Sequence, residues 1–555
     1  MRNCLISMIL FLSIVSFVGC EESEESVTDG SRPNILLIVA DDLGYSDIGP
    51  FGGEIKTPAL DKLANQGLML TNFHVLPTCS PTRSVLMSGT DNHIAGLGSM
   101  AEIVSEKQKG QPGYEGYLND RVVHLPKILK DGGFRTYMSG KWHLGHEKEH
   151  RPYARGFGET FALLPGGGSH YADKKPLSPP QVMVYSRNGE VVETLPEDFY
   201  SSRNYTDYLL EWLERDKNQD RPFFAYLSYT APHDPLHAPK EYIEKYKGKY
   251  DNGYNKLRKK RLESLKRLGI YDENTSMFPW AGMPAWDQLS ESQKAESARD
   301  MEVYAAMIDY MDEQISRVFD WLDKNKQMNT TLIIFFSDNG ANGAVPTAYP
   351  GQTQEFLDSF DNSLENRGLI GSFIEQGPGW ATASMSPRRL FKAFTTEGGI
   401  ASPCIVKLPG SMGQKGSMSH AFVHVGDIMP TFLELADIDH PSIANTEVPG
   451  MMGKSLLPLL YGQTAEIHLN EGIGYELHGL CAYIKGDWKI LRLPRPFGTG
   501  DWELFNLRHD PAEGHDLSAE KPEKLSELVS AWEEYSEKVG VVYDPIDMSI
   551  VSKKN

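Results

Sequence analysis

The chain has 555 residues, of which 40% are hydrophobic, 23% charged and 10% aromatic; that is enough apolar material for a large core, which excludes disordered and fibrous classes. Lys and Arg total 55 against 75 Asp and Glu, a net charge of −20, and this sign repels phosphate backbones, so nucleic acid is excluded as a partner. Five cysteines are too few for a disulfide scaffold; Cys404 and Cys481 remain as a conceivable pair, and no disulfide is needed.

In chain order, Arg2 precedes an apolar run from Leu5 to Val18 that ends in Phe17-Val18-Gly19-Cys20. Residues 1–19 read as a signal peptide, because the run is shorter than the roughly 20 apolar residues of a membrane span. Its Val-Gly-Cys ending resembles a bacterial lipobox. That resemblance implies acylation of Cys20, a periplasmic or cell-surface location, and membrane contact only through the lipid anchor. In an ordinary secretory signal Cys20 would be incidental. Glu21, Glu22, Glu24 and Glu25 make residues 20–30 an acidic tether too poor in apolar side chains to order itself.

Asn34 to Ala40 is a nearly unbroken apolar run ending in Asp41-Asp42-Leu43-Gly44, and Thr331 to Phe336 is a second, ending in Ser337-Asp338-Asn339-Gly340. Neither alternates, so both are predicted to be buried strands of a largely parallel sheet, with polar residues at the carboxyl ends where such sheets place their sites. Helical patterns at Leu125–Leu129, Tyr205–Leu213 and Met301–Leu322 complete a doubly wound α/β core over residues 31–465. Glu241 to Lys266, rich in Lys, Arg and Tyr, is predicted to be a solvated helical excursion without function. Residues 466–555 form an α+β tail, with strands in Cys481–Leu493 and Trp502–Leu507 and a helix around Leu525–Val539.

Asp41, Asp42, Asp338 and Asn339 offer oxygen ligands of a kind that suits calcium or magnesium better than zinc. Taken singly, each pair also suits a turn or a helix cap. Pro81 belongs in the first turn of a helix, which puts Cys79 at a helix N-terminus, with Arg83 four residues on along the same face. Cys79 is then either a thiol nucleophile of lowered pKa or a small buried residue.

Cys79-Ser80-Pro81-Thr82-Arg83, with Leu86 and Ser88-Gly89, resembles the signature of the type I sulfatases. The resemblance continues through Gly140-Lys141-Trp142-His143-Leu144-Gly145, Ala231-Pro232-His233-Asp234-Pro235, Phe391-Lys392 and Glu397-Gly398-Gly399, and covers nearly the whole chain from Pro33 to about Leu517. Ser88 to Gly96 and Pro165 to His170 are similar to the bacterial arylsulfatases of the Pseudomonas type. The family implies an alkaline-phosphatase-like α/β fold: a large mixed, mostly parallel sheet flanked by helices, followed by a small C-terminal α+β domain. It also implies one calcium ion, held by Asp41, Asp42, Asp338 and Asn339, and conversion of Cys79 to formylglycine by a maturation enzyme. The implied reaction is hydrolysis of sulfate esters: one hydroxyl of the aldehyde hydrate attacks sulfur, and deprotonation of the other expels sulfate from the sulfated enzyme. Lys141, Lys392 and Arg83 would stabilise transition-state oxygens, His233 would protonate the leaving group, and His143 would serve the elimination.

His170 and His237 are candidate pocket residues. Asn92 stands where the Pseudomonas-type group often has histidine, and Ala401 where many sulfatases have arginine, which bears on substrate choice. Four other readings compete: a carbohydrate sulfatase with the same mechanism, a phosphatase or phosphodiesterase of the alkaline phosphatase superfamily, a non-catalytic binder of sulfated polymers, and a thiol enzyme using unmodified Cys79.

Overall fold

The structure is a computed structural model that describes residues 32–279, 284–410 and 412–545. The expected signal peptide, Cys20 and the acidic tether lie outside the described residues.

The first apolar run is strand β1 (Asn34–Ala40), and the run at Thr331–Ser337 is β8. Between them come β2 (Leu68–His74), β3 (Arg135–Lys141), β4 (Glu159–Leu163), β5 (Tyr185–Arg187), β6 (Glu190–Val192) and β7 (Phe223–Ser228). After β8 follow β9 (Ala401–Lys407), β10 (Ser417–Ser419) and β11 (Val423–His424). They form one sheet in the order β10-β2-β9-β8-β1-β7-β3-β4-β5-β6, with β11 beside β2. β1 sits in its middle, parallel to both β7 and β8. β3 also runs parallel to β7 and β4, whereas β9 is antiparallel to both β2 and β8. This is the large mixed sheet of the alkaline-phosphatase-like α/β fold.

The unbroken apolar character of β1 has a direct cause. Leu36, Ile38 and Ala40 enter the core on one face of the sheet, while Ile35, Leu37 and Val39 enter the core on the other. A strand covered on both faces has no solvent side on which to place polar residues. The predicted helices cover these faces, at Leu125–Asp131, Ser201–Asp216 and Glu291–Lys324. The last is opened by Ser290, whose hydroxyl accepts from the Gln293 N–H while the Gln293 side chain returns to the Ser290 N–H.

The segment Glu241 to Lys266 departs from expectation. It forms two helices, Lys240–Tyr246 and Gly253–Arg267, and only part of their surface is solvated. Tyr242, Tyr246, Leu262 and Leu265 are buried, and Arg261 is 1% exposed. Its guanidinium donates to Glu54 at 2.9 Å and also to Asp47. Asp47 in turn accepts from the Gly44 N–H at 2.8 Å, so a helix expected to be inert braces the loop that leaves β1. A buried arginine satisfied by two carboxylates is invisible to a pattern that equates charge runs with solvent.

The C-terminal part is an antiparallel meander of β12 (Gly472–Leu477), β13 (Leu480–Lys485), β14 (Trp488–Arg492) and β15 (Trp502–Asn506). Of the two expected stretches, Trp502–Leu507 is β15, whereas Cys481–Leu493 folds back on itself at Gly486 into β13 and β14, and β12 was not expected. The Pro522–Val539 helix lays Leu528 and Trp532 against Cys481, Ile490 and Leu504. The opposite face, with Ile473, Tyr475, Ile484 and Leu491, joins the main core. Lys489 of β14, fully buried, bridges Glu397 at 3.0 Å and Glu513 at 2.8 Å. Cys79, Cys404 and Cys481 are free and buried. Among the described residues, no helix is long and apolar enough to cross a membrane.

Candidate active site

β1 and β8 are parallel neighbours in register, from Asn34 opposite Thr331 to Ala40 opposite Ser337, so both acid-bearing turns emerge side by side at the carboxyl edge of the sheet. Asp42 takes a left-handed conformation, φ 65°, which aspartate tolerates better than most residues. The turn brings the two acids to different cations. Asp41 accepts from Lys141 Nζ at 2.7 Å. Asp42 accepts from Lys392 Nζ, 2.7 Å at its Oδ1, and from Asn339 Nδ2 at 2.6 Å.

Cys79 begins the Cys79–Ser88 helix after an extended Thr78, as Pro81 predicts. Its Sγ stands 3.4 Å from Asp41 Oδ1. Burial pushes the Cys79 thiol well up, and Lys141 and Lys392 offset only part of that rise. The direction is opposite to the lowered thiol pKa that the helix N-terminus suggested: burial is the main cause, and the Asp338 and Asp41 carboxylates add to it.

Arg83 lies on the same helix and is fully buried. It donates Nε and Nη2 to Asp338 at 2.9 and 2.6 Å, and Nη1 to the Lys141 carbonyl at 3.0 Å, to the Tyr226 hydroxyl and to Ser228. Every nitrogen of the guanidinium is spoken for by protein. This differs from the expected role on substrate oxygens: Arg83 fixes Asp338 and the end of β3. Lys141, too, is fully buried, with its ammonium on Asp41.

Cys79, His143, His233 and Lys392 line a cavity of about 610 Å³. Met100, Ile103, Leu177, Pro179, Pro180, Tyr349 and Phe391 make much of its remaining wall. A larger cavity of about 870 Å³ includes Arg388, His420 and His468 in its lining but none of these four groups.

His233 donates from Nδ1 to the Asp234 carbonyl at 2.6 Å, since a carbonyl can only accept, and turns Nε2 toward Asp42 at 3.5 Å. Burial holds its pKa well below the usual histidine range despite the pull of Asp42. His143 lies just beyond the end of β3. Its φ of 56° ends the strand just past Lys141, and Nε2 meets Glu102 at 3.2 Å. Pro165-Gly166-Gly167-Gly168 closes over both rings: a Cβ on Gly166 would stand 2.8 Å from His143, and one on Gly167 2.9 Å from His233. Only residues without side chains allow the loop to approach so closely.

Ligand atoms of Asp41, Asp42, Cys79 and His233 all lie within 4.8 Å of one another. The buried Asn339 Oδ1 has no hydrogen-bond partner, which is the expected state of a carbonyl reserved for a cation. With Asp338 alongside, through its Oδ1 to the Asp42 N–H at 3.4 Å, this oxygen-rich set fits a hard divalent ion.

Several expectations fall elsewhere. His170 Nε2 donates to the His233 carbonyl at 3.0 Å and Nδ1 meets Ser201 Oγ at 2.6 Å. His237 Nε2 donates to the Ser372 carbonyl at 3.0 Å. Both are buried packing residues that support the His233 loop, not cavity residues. Asn92 spends its amide on the Leu97 carbonyl at 2.9 Å, and Ala401 is the buried first residue of β9; neither lines the cavity.

Residues 33–438 match the sulfatase family. The chain belongs to this family. It is 46% identical to an uncharacterized sulfatase of Schizosaccharomyces pombe over 94% of the chain and 96% of that protein. It is 41% identical to the arylsulfatase of Klebsiella aerogenes over 77% of the chain and 91% of that protein. The solved structure of Ps i-CgsB in complex with k-i-k-neocarrahexaose shares the fold, with a TM-score of 0.65, 24% identity, and coverage of 91% of this chain and 93% of that one. The sulfatase is therefore a sulfuric ester hydrolase.

Sequence reasoning missed several residues of the sulfatase site. Glu102 beside His143, and Tyr226 and Ser228 beneath Arg83, carry no motif. Asp234 was quoted only as part of a string. It is held by Asn342 at 2.8 Å and Tyr349 at 3.1 Å, and burial together with the nearby Asp42 raises it to about 8. His478, from the C-terminal meander, also lines the cavity; its signal was a His-Gly pair between two strands.

Proposed function

We propose that this sulfatase hydrolyses sulfate monoesters of apolar, chiefly aromatic alcohols, using Cys79 after its conversion to formylglycine by a maturation enzyme. The observation that carries the reading is the position of Cys79: at a helix N-terminus, against the Asp41 carboxylate, and open to a cavity with largely apolar walls. Such walls favour an aryl group over a hydroxyl-rich sugar, which would lose its water without gaining partners. The arylsulfatase name of the Klebsiella relative supports the same choice.

Conversion of Cys79 supplies two hydroxyls on one carbon, one to attack sulfur and one whose deprotonation releases sulfate. Calcium is the proposed ion, held by Asp41, Asp42, Asp338 and Asn339; when bound, it lowers the nucleophile's pKa and balances the sulfate charge. The chain's own residues do the rest. Lys392 lies at the cavity wall, where its ammonium can meet sulfate oxygens as charge builds on them. Lys141 and Arg83 hydrogen-bond Asp41 and Asp338 and fix them in place. His233, its ring held by the Asp234 carbonyl, presents Nε2 to the leaving oxygen. Burial keeps it neutral in the free enzyme, and the arriving anionic ester raises its proton affinity. His143, oriented by Glu102, is placed to take the proton in the elimination.

The lipoprotein reading is also retained: acylated Cys20 would anchor the enzyme at the periplasmic or cell-surface face. Membrane partition of the wild type and its loss in Cys20→Ala test that part alone.

The test of function is a hydrolysis screen of matured enzyme against a nitrophenyl sulfate and a panel of sulfated sugars. Preference for the aryl ester is expected. Turnover confined to sugars would replace the aryl assignment with a carbohydrate sulfatase of the same mechanism.

A further inference from the structure

β12 and β13 pair from Gly472 opposite Lys485 to Leu477 opposite Leu480, which leaves only His478 and Gly479 in the turn. Both have positive φ, 57° and 80°. A two-residue turn of this kind favours Asn-Gly or Gly-Gly, because the first position is strained for a residue with a bulky side chain. Histidine, with Asn and Asp, is among the side chains that adopt this region most readily, and this chain places an imidazole there. The turn is firmly held: Glu476 Oε1 accepts from the Gly479 N–H at 2.7 Å, and Glu476 Oε2 meets His93 Nε2 of the catalytic body at 3.2 Å.

The imidazole is 3% exposed and lines the cavity that Cys79, His143, His233 and Lys392 also line. Its Nε2 is buried without a hydrogen-bond partner. A polar atom left unpaired on a residue that lines a reaction cavity needs a partner, from water or from a ligand. Burial lowers its pKa to about 4, so near neutral pH the ring is uncharged, with one nitrogen donating and the other accepting.

We propose that His478 is a substrate-binding residue, lent to the catalytic cavity by the C-terminal meander, which hydrogen-bonds a polar substituent on the alcohol half of the sulfate ester. The inference rests on the aryl-sulfatase reading above and adds a selectivity to it: among esters of otherwise apolar alcohols, those bearing a hydroxyl within reach of His478 are preferred. A hydroxyl suits a neutral imidazole because it can donate or accept. A buried group built to pair with a hydroxyl discriminates against the analogue lacking it.

The experiment compares phenyl sulfate with the 2-, 3- and 4-hydroxyphenyl sulfates. The readout is the ratio of kcat/KM for the best hydroxyphenyl isomer to that for phenyl sulfate. His478→Gly removes the imidazole and relieves the left-handed turn, and it is expected to lower that ratio about tenfold, mainly through KM. His478→Asn suits the turn and keeps a donor and an acceptor, so it should retain part of the preference. An unchanged ratio in His478→Gly, or equal handling of all four esters by the wild type, would overturn the assignment and leave His478 as a turn residue only. If the wild type hydrolyses no sulfate ester, the sulfatase reading fails and this inference fails with it. A constant ratio with normal turnover defeats this inference alone.

Discussion

Lys392 and His233 share one carboxylate: Asp42 accepts from Lys392 Nζ at 2.7 Å and faces His233 Nε2 at 3.5 Å. Burial alone would raise Asp42, yet the Lys392 and Lys141 ammoniums hold its carboxyl below the usual carboxylate range. The ammonium and the imidazole are thus positioned relative to each other by a group that stays charged throughout the working pH range. His233→Ala should remove the proton donor and leave Lys392 tethered. Its cost should grow with the pKa of the leaving alcohol, from little for a nitrophenyl ester toward about 10²–10⁴-fold for an alkyl ester. A series of phenyl sulfates measures this slope, and a flat profile would show that His233 only holds substrate.

Cys79→Ser replaces a sulfur with a hydroxyl at the same helix N-terminus. A serine left unmodified accepts sulfate once and has no second hydroxyl with which to expel it, so turnover should stop while substrate still binds. Mass spectrometry of the peptide spanning Thr78 to Arg83 should show an aldehyde in the wild type, and serine or a sulfate ester in the variant. Full turnover by a verified serine enzyme would return a phosphatase-like mechanism to first place.

Chelation should abolish activity, and calcium should restore it. Asp41 and Asp42 bring ligand atoms to one point, Asp338 lies against the Asp42 N–H, and Asn339 Oδ1 is left unpaired, so calcium should also raise the melting temperature, because binding to the folded state adds to its stability. Restoration by zinc with calcium inactive would reject the assignment.

Lys489→Met should destabilise the whole enzyme. The ammonium sits between Glu397 and Glu513 with no exposure to water; Glu397 keeps Arg388 at 2.6 Å, but Glu513 is left buried without its cation, a change that costs about 3–5 kcal/mol. The denaturant midpoint should fall accordingly, and Glu513→Gln in the same chain should recover part of the loss, because it neutralises the carboxylate left without a cation.

The strands and acid pairs were legible because burial on both faces writes itself as an apolar run, and because the turns after β1 and β8 must be polar. The Cys79 helix was legible from Pro81. Roles that depend on long-range partners were not. Arg83 looked like a substrate ligand until Asp338 and Ser228 were seen to occupy its nitrogens. Arg261 looked solvated because nothing nearby in sequence announces Asp47 and Glu54. His170 and His237 carry the residue type of a site but face carbonyls. β12 escaped notice because Gly472 and Gly474 dilute its apolar signal, and His478 escaped with it.

The buried centre also has an electrostatic sum. Asp41, Asp42 and Asp338 contribute three negative charges; Arg83, Lys141 and Lys392 contribute three positive ones, and all six are buried. The total is zero before anything binds. The proposed divalent cation would leave a formal surplus of two, which the sulfate dianion would cancel in full and a monoanionic ester by half. Coulomb attraction in so dry a place favours the product over the substrate. Released sulfate should therefore compete for the site and slow the enzyme as it accumulates, and perchlorate, tetrahedral but singly charged, should compete less.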